Sequence, residues 1–200
     1  MTHPWPHPND VAAEAGWPDE AVALLGWAMW TAESLHYLAD LDAKVTVADG
    51  QRHPWHVVDL AHARWAASSA VGAIDLCAAA LARHCGAGPR TTRKGAEREL
   101  DLGELAERAE KDALPQPAAA WAVATQADGD VAALVEVRHP TTHARLKRHF
   151  FRGGGGSDRT HLVVDDAGTT REVGDLVLLA RDTATRVVED FLDRIATGAL

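Results

Sequence analysis

Two side chains of complementary chemistry stand close together late in the chain: Arg138 and His143, in the run Arg138-His139-Pro140-Thr141-Thr142-His143. A neutral histidine can take the proton of a ribose 2′-hydroxyl, and its protonated form can hand one to a leaving oxygen. An arginine fork can hold the scissile phosphate and stabilise the charge that builds as the oxygen attacks. Pro140 favours a chain that leaves one helix and starts another. That places Arg138 at a helix end and His143 in the next first turn, where both can be aimed at one point. Nothing in this scheme needs a metal or a cofactor. General acid–base help of this kind is worth on the order of 10² to 10⁴ in rate.

The same run opens an island of positive charge, Arg138 to Arg152 (RHPTTHARLKRHFFR). Five of the 20 basic side chains fall here with three histidines and none of the 29 acidic ones, so the segment carries +5 and the rest of the chain −14. Such an island can attract phosphate where the whole molecule would repel it. Arg145, Lys147, Arg148 and Arg152 would hold flanking phosphates of RNA. A solvated basic last turn, favoured by the helix dipole, reads the same charge without any ligand.

Other constellations are thinner. His139 and His143 also have the spacing of two metal ligands on one helix face, and His149 or His161 would have to supply a third. A protease of the HExxH kind would need Glu at position 140, where this chain has Pro. The glycine run 153–156 lacks the Gly-Lys-Ser/Thr ending of a phosphate-binding loop. Ser68, Ser69 and Ser157 have no nucleophile-elbow context. Asp59, His62 and Arg64 read as the solvated face of a helix, while His36 and Tyr37 could approach an active corner. The stretch GAGPRTTRKG, residues 86–95, reads as an exposed basic connector or a second phosphate contact.

A chain of 200 residues, 46 % hydrophobic and 24 % charged, suits one soluble globular domain with a proper core. Its net charge of −9 argues against a general nucleic-acid coat, because counterion release needs many clustered cations. Seven tryptophans against one tyrosine point to burial or interface formation. Cys77 and Cys85 are too few for a disulfide framework or zinc knuckle, and Cys77 reads as core filler. No secretory leader pattern opens the chain, and no run approaches the 18 apolar residues of a membrane span. A cytoplasmic protein without a membrane partner is expected.

The elements that must position Arg138 are helical. Residues 1–16 read as an irregular arm. A first helix starts at Pro18-Asp19-Glu20 and runs to about Asp42, with Leu24, Ala28, Thr31, Leu35 and Leu38 as its apolar stripe and Trp27 and Trp30 beside it. A second runs from near Pro54 to the Cys85-Gly86 boundary on the stripe Leu60, Ala63, Ala67, Val71, Ile74, Ala78 and Leu81. A third helical region, about Glu97 to Val137, breaks at Pro115 and Pro117 and again at Asp128-Gly129-Asp130. It delivers the chain to Arg138. Residues 153–173 read as a glycine hinge and a β-hairpin around Asp165-Asp166-Ala167-Gly168. The last helix, about Gly174 to Ile195, carries Leu176, Leu179, Thr183, Val187, Phe191 and Ile195 on one side. The fold expected is an all-α, antiparallel four-helix bundle with a small β-hairpin inserted before the last helix, as a single domain over residues 1–200.

At these residues the chain resembles the HEPN family, the nucleotide-binding domain of higher eukaryotes and prokaryotes. The resemblance rests on Arg138, a polar residue at 139, three variable residues and His143, placed late in a helical bundle of this size. It implies a compact bundle working as a homodimer, with two copies of the motif across a cleft. It also implies a metal-independent endoribonuclease acting as a toxin or phage-defence effector, with a cognate antitoxin or regulatory protein as partner. On the resemblance Arg138 is the phosphate-orienting residue and His143 the catalytic histidine. His139 fills the polar position where the family often has Asn. The competing expectation is a non-catalytic helical module that uses the island to bind a protein or nucleotide partner.

Overall fold

The computed structural model describes residues 8–48, 55–111, 113–138, 150–151, 160–163 and 170–200. Within them the protein is mostly helical, as the apolar periodicity predicts. The helices are α1 (Pro8–Glu14), α2 (Asp19–Ala48), α3 (Trp55–His84), α4 (Leu102–Glu110), α5 (Gln116–Gln126), α6 (Gly129–Arg138) and α7 (Val173–Ala196). Short strands β1 (Arg90–Thr91) and β2 (Glu97–Arg98) lie between α3 and α4. Strands β3 (Phe150–Phe151), β4 (Thr160–Val163) and β5 (Thr170–Glu172) precede α7.

Several boundaries differ from the sequence expectation. Part of the arm is helical: Pro8 opens α1 and Asp10 sits in its first turn, the same start signal that opens α2. Helix α2 runs past Asp42 to Ala48. Its buried side is Ala21, Leu25, Ala28, Ala32, Leu35 and Ala39, so the stripe is rotated from the one centred on Leu24, Thr31 and Leu38. Alanine at these steps lets backbones approach closely, and the indoles of Trp27 and Trp30 are left outside. From Ala63 onward the α3 stripe is as expected, with Ala63, Ala67, Val71, Ile74, Ala78 and Leu81 all buried; the side chain of Leu60, its expected first member, lies outside the described set. Residues 61–84 are in fact long and apolar enough to cross a membrane by composition, but 67 % of that window is buried inside the protein. A core helix meets the same criterion.

Helix α3 stops at a Schellman motif. The Ala87 N–H donates to Ala82 O at 2.8 Å and the Gly86 N–H to Arg83 O at 3.1 Å. Gly86 takes the left-handed φ of 70° that such a cap requires. The third helical region divides into α4, α5 and α6 where prolines and the Asp-Gly pair interrupt it. Pro115 is the N-cap of α5, and a proline sits in its first two positions.

The described residues fall into two compact units, interleaved in sequence. One comprises α1, α2 up to Thr31, α3 from Gly72, β1–β2, α4, α5 and α7 from Thr185. Its core holds Leu25, Ile74, Leu81, Leu105, Trp121 and Phe191. Trp17 stacks on His84 (4.2 Å between centroids, 10° between planes), and Phe191 meets both Trp17 and Trp121 edge-on. The other comprises α2 from Ala32, α3 up to Val71, α6, β3–β5 and α7 up to Ala184. Leu35, Ala63, Val131, Leu134, Val137 and Leu176 are buried there.

The hairpin expected before the last helix is present. β4 and β5 pair antiparallel, with His161 opposite Glu172, Leu162 opposite Arg171 and Val163 opposite Thr170. It gains a third strand, because β3 pairs with β4 through Phe150 opposite His161 and Phe151 opposite Thr160. The end of the basic island is therefore strand, and glycines 153–156 fall in the β3–β4 connection, outside the described residues.

Candidate functional site

Helix α6 carries the candidate arginine. Val131, Leu134 and Val137 are its buried residues, at steps of three that keep one side on the core. The next position, Arg138, is exposed and is the last residue of the helix. A cation there complements the negative end of the helix dipole. Pro140 cannot continue a helix and disfavours helical backbone at the residue before it, which accounts locally for the stop. The sequence expectation that Arg138 ends a helix is met. His139, His143, Arg145, Lys147, Arg148 and Arg152 lie outside the described residues, as does His149. Of the expected site residues, Arg138 alone is placed.

The second stretch considered for phosphate is not a simple loop. Residues 90–98 form the antiparallel β1–β2 hairpin, with Arg90 directly opposite Arg98 and Thr91 opposite Glu97. Two arginines facing each other repel. Glu104, in the first turn of α4, relieves this by accepting from both: Arg90 Nη1 at 2.5 Å and Arg98 Nη2 at 2.6 Å. Glu104 also completes a capping box, its backbone N–H donating to Asp101 Oδ1 at 2.9 Å while Oε2 accepts from the Asp101 N–H at 3.4 Å. The Leu102 N–H is held at 3.1 Å by Asp75 Oδ1 from α3. Burial pushes the Glu104 carboxyl up, but the hydrogen bonds from Arg90, Asp101 N–H and Arg98 outweigh it and leave it below the usual range. Arg90 and Arg98 are thus engaged within the protein. Arg83 is likewise paired with Glu99, through Nε at 3.2 Å and Nη2 at 2.5 Å.

The second unit contains a polar contact that the sequence did not announce. His62 Nδ1 lies 2.7 Å from Asp42 Oδ1, and each side chain is only 12 % exposed. A carboxylate oxygen accepts, so Nδ1 carries the hydrogen in this contact. A Cβ placed on Gly174 would lie 3.8 Å from Asp42 Oδ2, so the carboxylate also sits beside the first turn of α7, where negative charge is favoured. His62 does not belong to a solvated face, contrary to the expectation for Asp59, His62 and Arg64. Arg64 is partly buried too, and its Nε is a buried atom with no hydrogen-bond acceptor among the described residues. The side chain of Asp59 lies outside the described set. His62 follows Asp42 by twenty positions, and no local spacing rule connects residues so far apart.

His36 and Tyr37 are exposed on α2. Among the described residues no group of three or more His, Cys, Asp or Glu is arranged to hold a metal ion. Cys77 is buried, and that burial pushes its thiol up. It is core filler, as its place on the α3 stripe predicts. No family model, curated protein or solved structure matches this chain.

Proposed function

We propose that this chain is a HEPN-like, metal-independent endoribonuclease, with Arg138 as the phosphate clamp and His143 as the acid–base residue. The observation that carries the reading is the exposed arginine on the last position of α6, at the head of a segment of charge +5 in an otherwise acidic chain. A guanidinium at an exposed helix end can offer its planar fork to a phosphate oxygen. The histidine follows five positions later in the sequence, with Pro140 between the two. The mostly helical fold is the class in which the resemblance expects this motif. His139 serves as the polar neighbour, and Arg145, Lys147, Arg148 and Arg152 hold flanking phosphates. The protein acts inside the cell on RNA as a homodimer, as a toxin or defence effector under a regulatory partner.

The test is incubation of the purified full chain with mixed RNA in EDTA, beside Arg138→Ala and His143→Ala. Cleavage that survives chelation and falls by about 10² to 10⁴ in each variant is the expected result. Cleavage that persists in both variants, or that EDTA abolishes, overturns the assignment.

A second reading, a non-catalytic module that binds a partner, is favoured by one specific observation. Trp27, Trp30, Tyr37 and Trp65 are large aromatic side chains held in solvent, the residue types that dominate recognition surfaces. No cleavage under any condition, together with specific partner binding, would select it.

A further inference from the structure

The β1–β2 hairpin is fastened at its foot and charged at its tip. Residues 90–98 hold four basic side chains and one acidic one. At the foot, Arg90 and Arg98 are committed to Glu104 of α4. At the tip, the Thr92 N–H donates to Ala96 O at 2.8 Å and the Gly95 N–H to Thr92 O at 2.9 Å. These bonds close a three-residue loop with Arg93 and Lys94 at the two corners of a β-turn. Gly95 follows at φ 78°, the left-handed residue that such a loop requires. The Ala96 N–H also donates to Thr92 Oγ1 at 3.2 Å, and the hydroxyl keeps its own proton as a donor. Arg93 and Lys94 are exposed and make no ion pair or hydrogen bond among the described residues.

We propose that this tip is a second anchor for the sugar–phosphate backbone of RNA, with Arg93 and Lys94 each meeting a phosphate oxygen and the Thr92 hydroxyl donating beside them. The composition of the tip selects among polyanions. Thr92-Arg93-Lys94-Gly95-Ala96 has no aromatic or large apolar side chain, the kind of anchor that a protein partner buries and a membrane surface takes up. A phosphate backbone needs only cations, hydroxyls and N–H groups. Glu97, the one acid of the hairpin, stands opposite Thr91, a single step from the Arg90/Arg98 pair. It therefore falls on the other face of the ribbon from Arg90, Thr92, Ala96 and Arg98. A turn already closed by hydrogen bonds also loses less freedom on binding than an open loop would. At physiological ionic strength, exposed charges more than about 8 Å away are largely screened. The net charge of −9 on the whole chain does not cancel two adjacent cations at an exposed tip. That the polyanion is RNA rests on the nuclease reading; the anion site itself rests on the hairpin.

The test is fluorescence anisotropy of the full chain with a labelled single-stranded 2′-O-methyl RNA, which has no 2′-hydroxyl to attack its own phosphate. Wild type is compared with Arg93→Gln/Lys94→Gln, whose urea unfolding should match wild type because neither side chain is bonded within the fold. Binding at 0.1 M salt is expected to weaken roughly 10- to 30-fold in the double variant. The slope of log affinity against log salt should become shallower by about 1.4, at about 0.7 per phosphate contact. Acetylation of Lys94, read by mass spectrometry against Lys111, which pairs with Glu107, should slow when the RNA is bound. Affinity and slope indifferent to the double variant overturn the proposal, as does a Lys94 that RNA leaves unprotected. A wild type that does not bind at micromolar concentration in low salt also overturns it. Poly-glutamate that competes as well as RNA would make the tip a general polyanion patch and would count against it equally. Should the double variant lose stability, protection of Lys94 decides alone. Binding through the tip without cleavage of unmodified RNA counts only against the nuclease reading, and cleavage with an indifferent tip counts only against this one.

Discussion

His62 Nδ1 donates to Asp42 Oδ1 across 2.7 Å, joining α3 to α2 through two side chains that are largely withdrawn from water. Either partner left alone would keep its desolvation cost without its hydrogen bond. Asp42→Asn and His62→Ala are each expected to lower stability by about 1–3 kcal/mol. In a double-mutant cycle, read by urea unfolding, the pair should show a coupling of at least about 0.5 kcal/mol. Additive losses would mean that the contact contributes nothing of its own.

Glu104 gathers Arg90, Arg98 and the α4 cap onto one carboxylate. Its folded pKa is depressed, so the stability it contributes is complete above its ordinary value of 4.5 and is lost as pH falls through the folded value. Glu104→Gln should cost roughly 1 kcal/mol at neutral pH and leave a shallower fall in stability below about pH 4.5. Thermal unfolding measured between pH 3 and pH 7 checks both. An acid limb unchanged by the substitution would rule Glu104 out as its source.

His84 loses stability in the same direction for a different reason. Burial against Trp17 lowers its pKa from the ordinary 6.5. A folded value below the unfolded one means that the unfolded chain binds the proton more readily. Its contribution to stability is therefore complete above pH 6.5 and is lost as pH falls through the folded value. Replacing His84 by Phe should remove this loss and flatten the stability profile between pH 5 and pH 7. A wild-type profile already flat across that window would contradict it.

The two cysteines should differ in reactivity. Cys77 is fully buried and Cys85 only partly so, and burial raises both thiols, Cys77 far more. A colourimetric disulfide reagent should modify one thiol per folded chain slowly and the second only on unfolding. Two equivalents reacting at one rate under native conditions would show that α3 opens more readily than its packing implies.

If the basic island binds RNA, its cations set the salt dependence. The triple variant Arg145→Gln, Lys147→Gln, Arg148→Gln should reduce the slope of log affinity against log salt by about 2, at about 0.7 per phosphate contact on single strands. Fluorescence anisotropy with a labelled RNA, from low to physiological salt, reads the slope directly. An unchanged slope would place the RNA elsewhere.

Much of this molecule was written in local pattern. The α3 stripe from Ala63 to Leu81, the Gly86 cap, the breaks at Pro115 and Pro117, the β4–β5 pairing and the helix end at Arg138 follow from rules acting over a few residues. Periodicity, backbone restriction and missing N–H donors are properties of the chain itself, so they survive without any neighbour. The Arg138/His143 spacing and the +5 island are legible in the same way.

Tertiary structure decided what distance along the chain hides. Which side of α2 faces inward depended on the helices it meets: alanines fit their close approach and indoles do not, so Trp27 and Trp30 were left in solvent. His62 read as part of a solvated face until α2 and α3 brought Asp42 to it. Residues 86–95 read as an exposed basic connector or a second phosphate contact, and it was the first turn of α4 that set Glu104 against Arg90 and Arg98. A side chain's type states what bonds it can make, but only packing supplies the partner, because burial and pairing are properties of where two segments meet and not of either one.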